Sequence, residues 1–367
     1  MRRLLLIPAA LLLALVAWLA LAPVPVTPVA WEAPPDPGHT GVFASDSLLA
    51  GLELVPLGGF SGPESVARDA HGRVYVSTRE GAILRLDSAA AAGSAVPAAP
   101  TVWARTGGRP LGLAFGADGT LYVADGARGI LALDTLGTVT VLADSADGTP
   151  LMLTDDIAVA TDGRVYASDA STKFGAWARA HATEDASLLD IVEHGGHGRL
   201  VEWDPATRRA RIVRDGLQFA NGIAMLPGDS AVLLAETGRY RVVRIAVQGP
   251  GRGTLVPVLE ALPGFPDNIT RDDDGTYWLA LFAPRNALLD RLSGSPALRR
   301  ALLRIPRAVR PRAQAYGHIV HLDASGRVLD DRQDPTGRYP KTTDVQPVGE
   351  WLYVGALDGP VVARVRR

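Results

Sequence analysis

Short apolar stretches alternate with Gly/Asp turns along most of the chain, and the turns share one phrase, Asp-Gly-x-apolar-Tyr. Copies stand at 70–76 (with His71-Gly72), at Asp118–Val123, at Asp162–Tyr166, at Asp274–Trp278 and, degenerate, at Gly349–Val354. Pro227-Gly228-Asp229-Ser230 followed by Ala231–Leu234 has the same shape and makes the sixth. A short apolar segment precedes each copy, such as Gly112-Leu113-Ala114-Phe115 or Gly222-Ile223-Ala224-Met225, and a third strand often follows, as in Gly81–Asp87 and Gly129–Asp134. Short strands joined by Gly/Asp hairpin turns at a period of about 40–50 residues predict propeller blades. Six units predict an all-β, six-bladed β-propeller over residues 49–367. Leu52–Pro56 is expected to pair beside Val361–Val365 and close the ring.

Three stretches break this rhythm. After Met1-Arg2-Arg3, an uncharged run of 19 residues extends from Leu4 to Ala22. That is long enough for a membrane-spanning helix, and the two arginines favour an N-in orientation. Residues 1–22 are therefore expected to be a transmembrane signal-anchor. A cleaved signal peptide ending at Ala20-Leu21-Ala22 competes, although Pro23 would then occupy the first mature position. Residues 23–48 read as a Pro-rich extended tether. Either reading places the bulk of the chain outside the cytoplasm: as a single-pass membrane protein, periplasmic in a bacterium, or secreted if the segment is cleaved. Two blades are also stretched, from about Ser171 to His197 and from about Ala283 to Arg312. The second insertion has leucines at helical spacing. It also has eight arginines against one acid, Asp290. A solvated hairpin, a lid over the channel and a membrane-surface contact are all open for it.

Composition narrows the chemistry. The chain has 367 residues and no cysteine, which excludes disulfides, thiolate metal sites and a cysteine nucleophile. The balance of 37 basic and 39 acidic residues, a net charge of −2, argues against general nucleic-acid binding and leaves only a local basic patch open. No Gly-x-Ser-x-Gly elbow is present, so a Ser-His-Asp hydrolase has no support. His194-Gly195-Gly196-His197 reads as a loop over the site mouth rather than a metal pair. Gly249–Gly253 reads as a hairpin tip.

The blade register holds the candidate site. Counting back eight residues from the turn position reaches Glu64, Leu111, Asp155, Asn221, Asp267 and Thr342 in the six copies. These positions open the innermost strands and are expected to ring one mouth of the central channel. Glu64, Asp155, Asn221 and Asp267, with Asn268 beside the last, are oxygen donors with no imidazole or thiolate among them. Such a set suits Ca²⁺ better than zinc or copper. A single Asp at a strand end often only caps a turn. The same register in four blades favours a built site. Three converging carboxylates would raise one another's pKa values, and a bound cation relieves that.

Several stretches carry a resemblance: Gly62-Pro63-Glu64-Ser65, Gly108–Phe115, Tyr166–Ser171, Gly216–Gly222, Ala235-Glu236-Thr237 and, most specific, Leu262–Ile269. Through them the chain, from about residue 50 to 367, resembles the strictosidine synthase-like and adipocyte plasma membrane-associated protein-like family. That family belongs to the calcium-dependent phosphotriesterase superfamily, with the SMP-30/gluconolactonase proteins, the paraoxonases and squid-type diisopropyl-fluorophosphatase. The resemblance implies a calcium in the channel held by Glu64, the residue at 155, Asn221 and Asp267, with Asn268 alongside. It also shows departures. Position 155 is usually Asn in the pattern and is Asp here. Leu111 stands where the paraoxonases place a catalytic His. Tyr339–Asp344 has no convincing match to the catalytic Glu of true strictosidine synthases.

Three functions remain open at this point. The first is an extracytoplasmic Ca²⁺-dependent hydrolase of a small-molecule lactone, aryl ester or phosphotriester, with Asp267 as nucleophile or general base. The second is a non-catalytic, calcium-stabilised propeller that binds a ligand or protein. The third, a lyase joining amine and aldehyde, is weakened by the missing acid.

Overall fold

The computed structural model describes residues 17–86, 100–175, 182–310 and 312–367. Six four-stranded antiparallel sheets follow one another around a ring. Blade 1 runs from Val66–Arg68 to Thr101–Arg105, blade 2 from Pro110–Phe115 to Val139–Ala143, and blade 3 from Thr154–Val159 to Arg209–Leu217. Blade 4 runs from Ala220–Met225 to Leu255–Leu259 and blade 5 from Gly264–Arg271 to Val328–Asp334. Blade 6 comprises Thr342–Val348, Trp351–Ala356 and Val361–Arg366, and Glu53–Pro56 supplies its outermost strand. The expected closure is found: Glu53 pairs with Arg364 and Pro56 with Val361.

The core lies between blades. Successive strand residues point to opposite faces, and both faces of a blade are covered. Val165 and Ala167 therefore pack toward blade 2, while Tyr166 between them packs toward blade 4. Such strands read as nearly continuous apolar runs rather than as alternating ones.

The last blade corrects one register. In blade 1 the first hairpin has a three-residue turn, because Asp69 N–H bonds Arg73 O. In blade 6, Val348 pairs with Trp351, which leaves a two-residue turn. Counting eight back from Glu350 therefore overshoots by one. Thr343, not Thr342, is the equivalent of Glu64. Thr342 instead donates to the carbonyls of Leu281 (2.8 Å) and His318 (3.1 Å).

The anchor expected over Leu4–Ala22 lies mostly outside the described residues. Among the described residues, no helix is long and apolar enough to cross a membrane. The Pro-rich stretch is extended, but it is docked rather than free. Val26 is buried, and Val29 and Trp31 donate backbone N–H groups to Glu193 O (2.8 Å) and Ser293 O (3.2 Å). The insertions supply its seat: helix α1 (Ala182–Glu193) from the first, α2 (Ala287–Arg291) and α3 (Pro296–Arg304) from the second.

Candidate metal centre at the channel mouth

Pairing within each blade aligns six positions at the opening of the inner strands: Glu64, Leu111, Asp155, Asn221, Asp267 and Thr343. Glu64, Asp155, Asn221 and Asp267 are each at least nine-tenths buried. Their electrostatics show convergence. Burial raises the Glu64 carboxyl well above its usual range, and the charges of Asp267 and Asp155 add to this. Burial, then Asp155, raises Asp267 similarly, while a hydrogen bond from Asn221 works the other way. Asp155 is pushed up to about 7 by burial, against the pull of Arg109.

The residues present fit a hard cation, and hydrogen bonding carries that test. Glu64 Oε2, Asn221 Oδ1 and Asn268 Oδ1 are buried without a partner, an arrangement that costs about 1–3 kcal/mol per group unless something fills it. Among the described residues, no three His, Cys, Asp or Glu side chains lie close enough to enclose an ion by themselves. Two of the donors here are asparagines, Asn221 and Asn268. Asn268 sits one residue deeper than Asp267. Its Nδ2 donates to Glu64 Oε1 at 3.0 Å and fixes the Glu64 side chain.

One residue below the ring lies a second layer that the sequence reading missed: Ser65, Gly112, Asp156, Gly222, Asn268 and Asp344. Asp156 accepts from Ile157 N and, across the blade boundary, from Ile223 N, both at 2.8 Å. Asp344 accepts from Ser65 Oγ (3.0 Å) and Val66 N (2.8 Å) of blade 1, from Thr270 Oγ1 (2.8 Å) of blade 5 and from Val345 N (2.7 Å). The glycines make room: a Cβ at Gly112 would lie 2.4 Å from Asp156 Oδ1. Adding one to the ring count would have exposed this layer in the sequence.

Above the ring is a cap. Leu111, Leu153 and Phe219, at the strand openings, share an apolar cluster with Phe174, Val192 of α1, Leu303 of α3 and Val26 of the N-terminal strap. The second insertion is thus helical, as its spacing predicts, and it covers the mouth. Three of its arginines hold the strap. Arg285 donates to Pro34 O (2.5 Å) and Pro35 O (3.2 Å), Arg299 to Val29 O (2.9 Å), and Arg304 to Ala22 O (2.5 Å) and Leu19 O (2.7 Å). The His194/His197 pair serves the same seam. His194 stacks on Trp31 at 4.0 Å, and burial, followed by the charge of Arg299, lowers its pKa to about 3. His197 bonds Glu193 at 2.7 Å, which also holds Lys173 and the Thr27 N–H.

A six-bladed propeller with a ring of buried oxygen donors at one mouth defines the class. A family profile described as SMP-30/Gluconolactonase/LRE-like region matches residues 62–296. The chain belongs to that family, within its strictosidine synthase-like branch. It is 31% identical over 324 residues to the Arabidopsis thaliana protein strictosidine synthase-like 7, covering 88% of this chain and 83% of that one. It is 30% identical over 357 residues to the adipocyte plasma membrane-associated protein of Danio rerio, covering 93% and 84%. Among solved structures, a calcium-binding protein, regucalcin, from Agrobacterium tumefaciens shares the fold with a TM-score of 0.56 at 16% identity, covering 85% and 90%.

Proposed function

We propose that the chain is an extracytoplasmic, membrane-anchored, calcium-dependent hydrolase of lactones, aryl esters or phosphotriesters. The observation that carries this reading is the set of partnerless buried oxygens on Glu64, Asn221 and Asn268 at one mouth. Glu64, Asp155, Asn221 and Asp267 hold the ion, with Asn268 steadying Glu64. The calcium-binding description of regucalcin, a fold relative, is in keeping with this. Bound calcium supplies a Lewis acid that polarises the carbonyl or phosphoryl oxygen. Asp267 supplies the nucleophilic oxygen, or takes the proton of the attacking water onto its carboxylate. The cap excludes bulk water from the mouth. The N-terminal run holds the capped face near a bilayer, in line with the exposed Trp18, Leu21, Leu298 and Val309 on the strap and second insertion.

Hydrolysis of a lactone, phenyl acetate and a phosphotriester, measured with calcium and with chelator, tests the reading. Calcium-dependent turnover of one class is expected. Asp267→Asn keeps an oxygen ligand and should lose about 10²–10⁴ of that turnover. Full activity in calcium-loaded Asp267→Asn would remove Asp267 from the chemistry. The apolar seal of Val26, Leu111, Phe174 and Leu303 over the mouth favours a second reading, a non-catalytic propeller whose calcium is structural. Bound calcium with no turnover of any of the three would select it.

A further inference from the structure

The oxygen ring has one gap. Blades 1, 3, 4, 5 and 6 present Glu64, Asp155, Asn221, Asp267 and Thr343, whereas blade 2 presents Leu111. Two residues before Leu111 stands Arg109, only 8% exposed. Its backbone is fixed at the strand opening: its N–H donates to Asp125 Oδ1 at 2.9 Å, and its carbonyl accepts from Gly126 N at 2.8 Å. Its side chain crosses to blade 1, where Nη1 donates to Gly62 O at 3.3 Å, two residues before Glu64. Glu64 is the acid whose field acts most on it, and Arg109 is the charge that acts most on Asp155. Nη2 is nevertheless buried with no partner, and so is Glu64 Oε2. A guanidinium and a carboxylate on neighbouring blades thus each keep a buried hydrogen-bonding atom available to a third group.

The charges say what that group is. Glu64, Asp155 and Asp267 contribute three negative charges when ionised; Ca²⁺ and Arg109 together contribute three positive ones. Within the ring itself the charges then balance, which suits an uncharged substrate; Asp156 and Asp344 lie in the layer below. A guanidinium N–H held ready in a site shielded from water is worth most against charge that appears only during reaction. We propose that Arg109 is a catalytic oxyanion donor, its Nη2–H bonding the carbonyl or phosphoryl oxygen of an uncharged ester as that oxygen becomes negative. In ester hydrolysis the oxygen of water bonds to the acyl carbon, and the C=O electron pair moves onto the carbonyl oxygen. The pair then returns as the bond to the leaving alkoxide breaks. The proton lost by water ends on the leaving oxygen. Burial lowers the Arg109 pKa, but a guanidinium stays charged in a protein, so Arg109 gives up no proton.

This inference rests on the calcium reading, and its test separates the two. Wild type and Arg109→Met are titrated with calcium and then, calcium-loaded, with methyl phenylphosphonate, a singly charged tetrahedral mimic of the reacting ester, and with uncharged N-methylbenzamide. Arg109→Met removes a like charge beside the ion, so calcium should bind more tightly. The phosphonate should bind at least 10-fold more weakly and the amide nearly unchanged. These opposite signs exclude general damage to the site, which would weaken all three. Arg109→Lys, which keeps the charge without the fork, should leave calcium affinity near wild type while still losing the phosphonate. Failure of wild type to bind calcium overturns the metal reading and this proposal together. Calcium binding with phosphonate affinity insensitive to position 109 overturns this proposal alone. Weaker calcium binding in Arg109→Met also overturns it.

Discussion

Two layers of acids lie one residue apart in the channel, and they are satisfied in opposite ways. In the lower layer, the oxygens of Asp156 and Asp344 all accept hydrogen bonds, several from the next blade. In the upper ring, Glu64 and Asn221 each keep an oxygen with no partner, and so does Asn268 directly beneath Asp267. All five carboxyls, Asp156 and Asp344 below, Glu64, Asp155 and Asp267 above, are raised chiefly by burial. The number of acids therefore does not distinguish the layers; the fate of their lone pairs does. The lower layer staples blades together. The upper one is incomplete until something binds. Substitutions in the two layers should separate cleanly into stability effects and binding effects.

The largest effect is expected below. Asp344→Ala leaves four donors on three blades without an acceptor. Buried donors lost in this way cost about 1–3 kcal/mol each, and partial relaxation should bring the sum to about 3–5 kcal/mol in denaturant melts. Calcium affinity of the folded protein should stay within about twofold. Should the alanine variant fail to fold, Asp344→Asn keeps the shape and tests the same split. A large loss of calcium affinity in a well-folded Asp344→Asn would merge the two layers and break the comparison.

Chelation addresses the upper ring. A ligand that binds only the folded state stabilises it by about 3–4 kcal/mol at 100 to 1,000 times its Kd. Adding chelator to the calcium-loaded protein should lower Tm by several degrees, and Glu64→Gln should shrink that difference. No change in Tm on chelation, with no metal in the purified protein, would leave the partnerless oxygens without an occupant.

The pH response sharpens the contrast. Glu64 and Asp267 are raised well above the ordinary range, and Asp155 to about 7. A carboxyl with a raised folded-state pKa makes the metal-free fold bind protons that the unfolded chain releases. Stability then increases as pH falls through the folded pKa. Chelated protein should therefore gain stability from pH 8 to pH 6, by at most about 1.4 kcal/mol per unit for each group. Calcium requires the carboxylates ionised, so its affinity should weaken over the same range. Chelated protein that melts at one temperature from pH 8 to pH 6 would contradict the burial and mutual repulsion that raise these carboxyls.

Much of this was legible in the chain, for identifiable reasons. The blades repeat a hairpin whose Gly/Asp turn has a fixed offset to the ring, so Glu64, Asp155, Asn221 and Asp267 emerged from counting alone. The offset failed where the turn length changed, at Val348–Trp351. Arg109 was visible only as part of a motif, because its role comes from Gly62 and Glu64, on the neighbouring blade. The docked strap was hidden for a related reason. Proline-rich sequence says that a segment is extended, but the carbonyls that Arg285, Arg299 and Arg304 grip carry no side-chain signature. The arginine excess in the second insertion left a membrane-surface contact open beside a solvated hairpin and a lid; three of those side chains bind strap backbone.

The smallest effect tests the corrected register itself. Thr343 occupies the sixth ring position, but its Oγ1 donates to Glu64 O at 2.6 Å, so it closes the ring mechanically between blades 6 and 1. Thr343→Val removes one buried hydrogen bond and keeps the side-chain shape, for a cost of about 1 kcal/mol. Because that bond steadies the backbone of a ligand residue, calcium affinity should fall as well, by a few-fold. Thr342→Val should cost a similar amount of stability, since Thr342 bonds the carbonyls of Leu281 and His318 in blade 5. It has no link to Glu64 and should leave calcium affinity alone. Equal calcium affinities in the two variants would remove Thr343 from the ring. A loss confined to Thr342→Val would restore the register that plain counting gives.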